Sequence, residues 1–183
     1  MAKGTVLIEM VKLLRSHPEN ASQLVPDAQR HYLEDRMMPA AWYPERDLLE
    51  LIRAGVRLVG GHRTAVLDGM GKGAASAHFR DWYGHGKDPD PGDVMRRTSS
   101  LWSAQHNTGR HEFHARDTHS GHIEITGYGL PSEEMCRLTG AYSAEFLRKS
   151  GWGKVTVKEE QCVRAGAASC RWLHTWDRSV EAA

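Results

Sequence analysis

The chain has 183 residues, enough for one domain with a sizeable buried core. Its 24 basic and 23 acidic residues leave a formal charge of +1, so no basic excess marks a nucleic-acid surface and no acidic tail is present. Hydrophobic residues make up 40 % of the sequence, a globular proportion, and the apolar runs are too short to span a bilayer.

The first element is an amphipathic helix, because Val6, Leu7, Met10, Leu13 and Leu14 recur at helical spacing. Glu9 and Lys12 interrupt the apolar run, which excludes a signal peptide and implies a cytoplasmic protein with reduced thiols. Ser16-His17-Pro18 ends that helix. A second short helix is expected from Pro26 to Met37, with Pro26 at its start and Met38-Pro39 as its stop. A third runs from Glu45 to about Val59, with Leu48, Leu49, Ile52, Val56 and Val59 as its stripe and Gly60-Gly61 as its end.

His62 to Tyr83 also reads as a helix, although Gly69, Gly71 and Gly73 each cost about 1 kcal/mol relative to Ala there. Close backbone approach to a neighbouring helix or subunit would offset that cost. The glycines are not a phosphate loop, since the frame is wrong and no strand precedes them. Gly84 to Gly92 is a polar loop, and Asp90-Pro91-Gly92-Asp93 opens a helix to about His106.

Thr108 to Arg116 and His122 to Tyr128 alternate in polarity and flank the turn Thr118-His119-Ser120-Gly121, a β-hairpin. Pro131-Ser132-Glu133-Glu134 opens a helix whose stripe is Met135, Leu138, Tyr142 and Phe146, and Ser150-Gly151 closes it. Lys154 to Val163 and Cys170 to Asp177 form a second hairpin, with Cys170, Trp172, His174 and Trp176 on one face. Helices followed by a β-β-α-β-β unit predict a single α+β domain over 1–183, mainly helical over 1–107. An antiparallel sheet packed on helices is expected over 108–177.

All three cysteines lie between positions 136 and 170. With Glu159 they make a donor set of three thiolates and a carboxylate, suited to a closed tetrahedral zinc site of structural type. Three small buried apolar residues, or one disulfide and a free thiol, are the alternatives the spacing leaves open. For Glu159 and Cys162 to reach one ion, the strand has to bulge between them, because side chains alternate. Arg137, Lys158, Arg164 and Arg171 lie beside the ligands in sequence as candidate outer donors.

Gly140 to Leu147, Val155 to Glu159, Gln161-Cys162-Val163-Arg164-Ala165-Gly166 and Cys170-Arg171-Trp172 resemble the C-terminal half of the 4-vinyl reductase domain family. The resemblance is specific over roughly Gly127 to Trp176. It implies zinc on Cys136, Glu159, Cys162 and Cys170, as in the sensory domains of phenol-responsive regulators. It also implies a small hydrophobic or aromatic ligand between helix and sheet, with Trp102, His106, Phe113, Tyr128, Tyr142 and Phe146 as candidate contacts. Heme–nitric oxide binding domains end in a similar hairpin and are a more distant resemblance. Their Tyr-x-Ser-x-Arg signature is not reproduced by Tyr128-Gly129-Leu130-Pro131-Ser132.

The function implied is a non-enzymatic sensor or regulatory domain, homodimeric and acting through a separate output protein, with no nucleic acid or membrane partner. The alternatives are a structural protein-interaction subunit of the same fold, a tetrapyrrole vinyl reductase-type enzyme, and a heme-based gas sensor. No nicotinamide fingerprint and no acid–base pair at a recognisable spacing supports an enzyme. His106, His111, His114, His119 and His122 cluster in sequence, with a second metal or heme site as one reading; without a ligand frame such as H-E-x-x-H they read as exposed groups on an edge hairpin.

Overall fold

Apolar side chains three and four residues apart fold Gly4–Arg15 into α1, which buries Leu7, Met10, Val11 and Leu14. A computed structural model describes residues 1–83 and 99–177, with backbone alone for 82 and 83. The chain divides into two compact units. One comprises Met1–Val66 with Ala104–Asn107, the other Leu67–Ser103 with Thr108–Ala183.

In the first unit, Pro18 opens α2 (Pro18–Leu24) from its first-turn position, where a missing N–H costs nothing. α4 (Glu45–Val59) lays Leu48, Leu49, Leu51 and Ile52 against α1 and α2, while Val59, expected in the stripe, is exposed. A two-stranded antiparallel ribbon joins β1 (Ala2–Lys3) to β2 (Trp42–Tyr43). The helix expected from Pro26 to Met37 is broken into a 3-10 turn (Asp27–Gln29) and α3 (His31–Glu34). Side chains compete for the backbone there. The Arg15 guanidinium donates to the Tyr32 carbonyl at 2.8 Å and to that of Asp35, and Asp35 is extended. The Tyr32 hydroxyl is drawn in to donate to Asp47 at 2.7 Å.

In the second unit, β3 (Arg110–Asp117), β4 (Ser120–Thr126), β5 (Val155–Gln161) and β6 (Ser169–Trp176) form one antiparallel sheet in the order β3-β4-β6-β5. The α+β class expected from the sequence is thus found. Residues 99–105 are helical (α6), the described part of the helix expected from Asp90; the expected loop from Gly84 lies outside the described residues. α7 (Glu133–Leu147) begins at Ser132, whose hydroxyl oxygen accepts the Met135 N–H at 3.1 Å, with Glu133 and Glu134 favoured by the helix dipole.

Alternation gives the sheet two faces. Ile123 and Ile125 of β4 and Cys170, Trp172, His174 and Trp176 of β6 are buried on the inner one. Trp172 rests on α7 at Gly140, where a Cβ would meet the indole Cδ1 at 3.0 Å. From another side α7 meets α5 (Arg63–Tyr83) at Gly71, where a Cβ would lie 2.5 Å from the Leu138 carbonyl oxygen. One of the three helix glycines therefore has the close-approach role expected of it. A Cβ at Gly69 or Gly73 would meet no atom of the described residues within 4 Å beyond its own helix. No described helix is long and apolar enough to cross a membrane.

This contrast is measurable. Gly69→Ala and Gly73→Ala are expected to stabilise the chain by roughly 0.5–1 kcal/mol each, the helix-propensity gain. Gly71→Ala is expected to destabilise it by about 1–3 kcal/mol, since a backbone carbonyl cannot step aside. Urea midpoints of the three variants decide the matter.

Candidate functional site

α7 brings Cys136 in its first turn toward the second hairpin, where Cys162 follows β5 and Cys170 lies in β6. The Cys136 and Cys162 sulfurs are 3.6 Å apart, those of Cys170 and Cys162 are 3.9 Å apart, and all three lie within 4.8 Å of one another. The bulge demanded of β5 is present, as its register with β6 shifts between Glu159 and Gln161. Glu159 itself is exposed and does not join the gathered donor atoms. Arg137 pairs instead with Asp68 at 2.5 Å and Arg171 with Glu124 at 3.1 Å.

All three cysteines are free. Burial, the neighbouring Cys162 hydrogen bond and nearby negative charge push the Cys136 thiol up, and burial does the same to Cys170. Cys136 and Cys170 are thereby biased toward the protonated, poorly nucleophilic thiol.

The six residues proposed around a ligand fall into three places. Trp102, Phe113 and Tyr128 pack on the apolar cluster of Ile123, Ile125, Cys136, Cys170 and Trp172. Tyr142 and Phe146 belong to a second cluster with Ala75, Phe79 and Leu101. His106 lies in the first unit, buried, with its Nδ1 on the Glu45 carboxylate at 2.6 Å. Phe113 also reaches the tryptophan pair Trp152–Trp176, whose rings meet edge-on at 4.3 Å.

The expectation of five exposed histidines is corrected at three positions, since His106 and His111 are buried and His122 is half-buried. His111 shares strand parity with inward-facing Phe113, a signal the sequence carried. Its ring stacks on Trp102 at 6.0 Å, Trp102 meets Tyr128 edge-on at 5.5 Å, and the His111 Nδ1 is buried with no hydrogen-bond partner among the described residues. Burial lowers its pKa to about 4. Two further histidines are buried, His174 on the strand face expected of it and His78, which the sequence did not single out. His78 Nδ1 meets the Tyr142 hydroxyl at 3.1 Å. His174, also lowered by burial to about 4, is held neutral with Nδ1–H donating to the Trp172 carbonyl (3.1 Å) and Nε2 accepting from Ser143 (2.8 Å).

No family model matches the chain, and no curated protein matches it, so the resemblance to 4-vinyl reductase domains gains no support there. Solved structures do match. An H-NOX protein from S. oneidensis, in the Fe(II)NO ligation state, is similar with a TM-score of 0.65 and 11% identity, over 96% of this chain and 99% of that one. A mutant H-NOX of T. Tengcongensis gives 0.63 and 11%, over 97% and 99%. An oxygen-binding H-NOX domain related to soluble guanylate cyclases gives 0.62 and 11%, over 97% and 96%. The chain therefore has the H-NOX fold, the more distant of the two resemblances.

Zinc as the cofactor is corrected by that finding. The solved proteins of this fold are described by their iron and heme, and the expected fourth zinc ligand, Glu159, stands outside the sulfur cluster. Heme is not fitted at His174. An axial histidine needs one ring nitrogen aimed at space for a flat macrocycle. His174 has both nitrogens engaged, whereas the buried His111 Nδ1 has no hydrogen-bond partner among the described residues.

The two neutral rings have a pH consequence. Unfolded imidazoles protonate near 6.5, whereas His111 and His174 resist protonation until about 4. Stability is therefore full above pH 6.5 and falls as pH drops toward 4, by on the order of 3 kcal/mol per ring. Imidazole NMR resonances of both residues should stay untitrated above pH 5, while the urea midpoint declines through that window. A ring titrating near 6.5 would contradict the burial described.

Proposed function

We propose that this chain is a small-molecule-sensing regulatory module on the H-NOX fold, acting by binding and not by catalysis. The ligand is read at the patch formed by Trp102, His111, Phe113 and Tyr128. The observation that carries this reading is the unpartnered Nδ1 of His111. A buried polar atom left unpaired costs about 1–3 kcal/mol, and a partner arriving from outside the chain removes that cost. The surroundings are aromatic, so the fitting ligand is a small aromatic molecule with one hydroxyl or carbonyl to meet the imidazole. Similarity in fold to oxygen- and nitric-oxide-ligated H-NOX proteins supports a sensing role over an enzymatic one. A homodimer in the cytoplasm, signalling to a separate output protein, completes the reading.

The test sets two ligand classes side by side. Simple phenols are expected to raise the melting temperature saturably by a few degrees, and His111→Leu to abolish that shift while far-UV circular dichroism stays native. A phenol response absent from the wild-type chain, or unchanged in the variant, overturns the patch. Stoichiometric hemin uptake with a Soret band that moves with nitric oxide makes the chain a heme gas sensor instead.

A further inference from the structure

The sensing patch lies on the inner face of the sheet, and the histidines of the outer face have no part in it. The β3–β4 register sets His114 directly opposite His122, with ring centroids 5.0 Å apart. Glu124 follows two residues after His122 and so shares its face. One donor atom from each of the three lies within 4.8 Å of the others. His114 is exposed, and His122 and Glu124 are half-buried.

We propose that His114, His122 and Glu124 form a surface site for a late first-row divalent transition metal, of the nickel(II) or copper(II) class. Two imidazoles and one carboxylate favour such ions over magnesium or calcium, which prefer all-oxygen shells. Donors around one ion at 2.0–2.2 Å stand about 3 Å apart, so the trio closes by rotation of the exposed His114 ring, with no change in the strands. Glu124 is already oriented, because Ser169 Oγ donates to its Oε1 and Arg171 donates to its Oε2 at 3.1 Å. That guanidinium also sets a limit, since a cation beside the carboxylate weakens the hold on a second cation. Three protein ligands on a solvent-facing strand pair leave open positions for water, which describes an exchangeable site and not a buried structural one. The sulfur cluster is separate, because Cys170 points to the opposite face of β6 from Arg171.

Nickel(II) titration of the tag-free chain by calorimetry tests this, with the absorption spectrum recorded in parallel. One equivalent is expected to bind, with His114→Ala and His122→Ala each weakening it by at least about tenfold, since even outer partners of a metal site cost tenfold or more. His119→Ala, in the exposed turn, serves as the control and should bind like the wild type. Both ligand variants alter the solvent-facing side, so their melting temperatures should remain near that of the parent. Equal affinity in all four proteins, no binding at all, or a sulfur-to-nickel charge-transfer band would each overturn the assignment.

Discussion

The second unit depends on how closely α7 can be approached. An indole lies on it at Gly140, and a neighbouring helix meets its backbone at Gly71. Both contacts are close enough that a single methyl group is a steric problem. Seating Trp172 against α7 fixes the register of β6 relative to the helix, and the rest of the strand follows with a period of two. His174 then reaches Ser143 one helical turn beyond Gly140, and Cys170 falls beside Cys136. The approach of the Cys136 and Cys170 sulfurs thus follows from helix-on-strand packing.

Legibility in the sequence followed the range of the interactions. The first part of the α4 stripe (Leu48, Leu49 and Ile52), both hairpins and the inward face of β6 are local patterns that appear where periodicity put them. The segment from Pro26 to Met37 is governed by contacts from Arg15 and Asp47, which no local window contains. Pairing of His106 with Glu45 spans 61 positions and was equally out of reach. His111 and His114 show the opposite failing. Their strand parity separated a buried imidazole from an exposed one, but treating the histidines as one group concealed it.

The candidate site was legible in part. Cys136, Cys162 and Cys170 meet as the spacing suggested, whereas Glu159, one residue before the bulge, is turned to solvent. The late helix and hairpin carried the resemblance to one family, although a second family ends in the same way. A signature confined to shared architecture cannot separate the two. Topology over nearly the whole length matches H-NOX structures, at identities of 11% to 12% that keep the backbone path and leave the pocket chemistry free to differ.

The sheet terminates on β3 and β5, and both outer strands carry a register irregularity, at Ala115/Asp117 and at Glu159/Gln161. Both are also studded with charge: Arg110, Glu112, Arg116 and Asp117 on one, Lys158, Glu159 and Glu160 on the other. A foreign strand adding to either border would have to strip water from those groups and match a kinked ladder. The borders are blunted against fibril-like growth, so crowded copies of this molecule are steered away from zipping edge to edge.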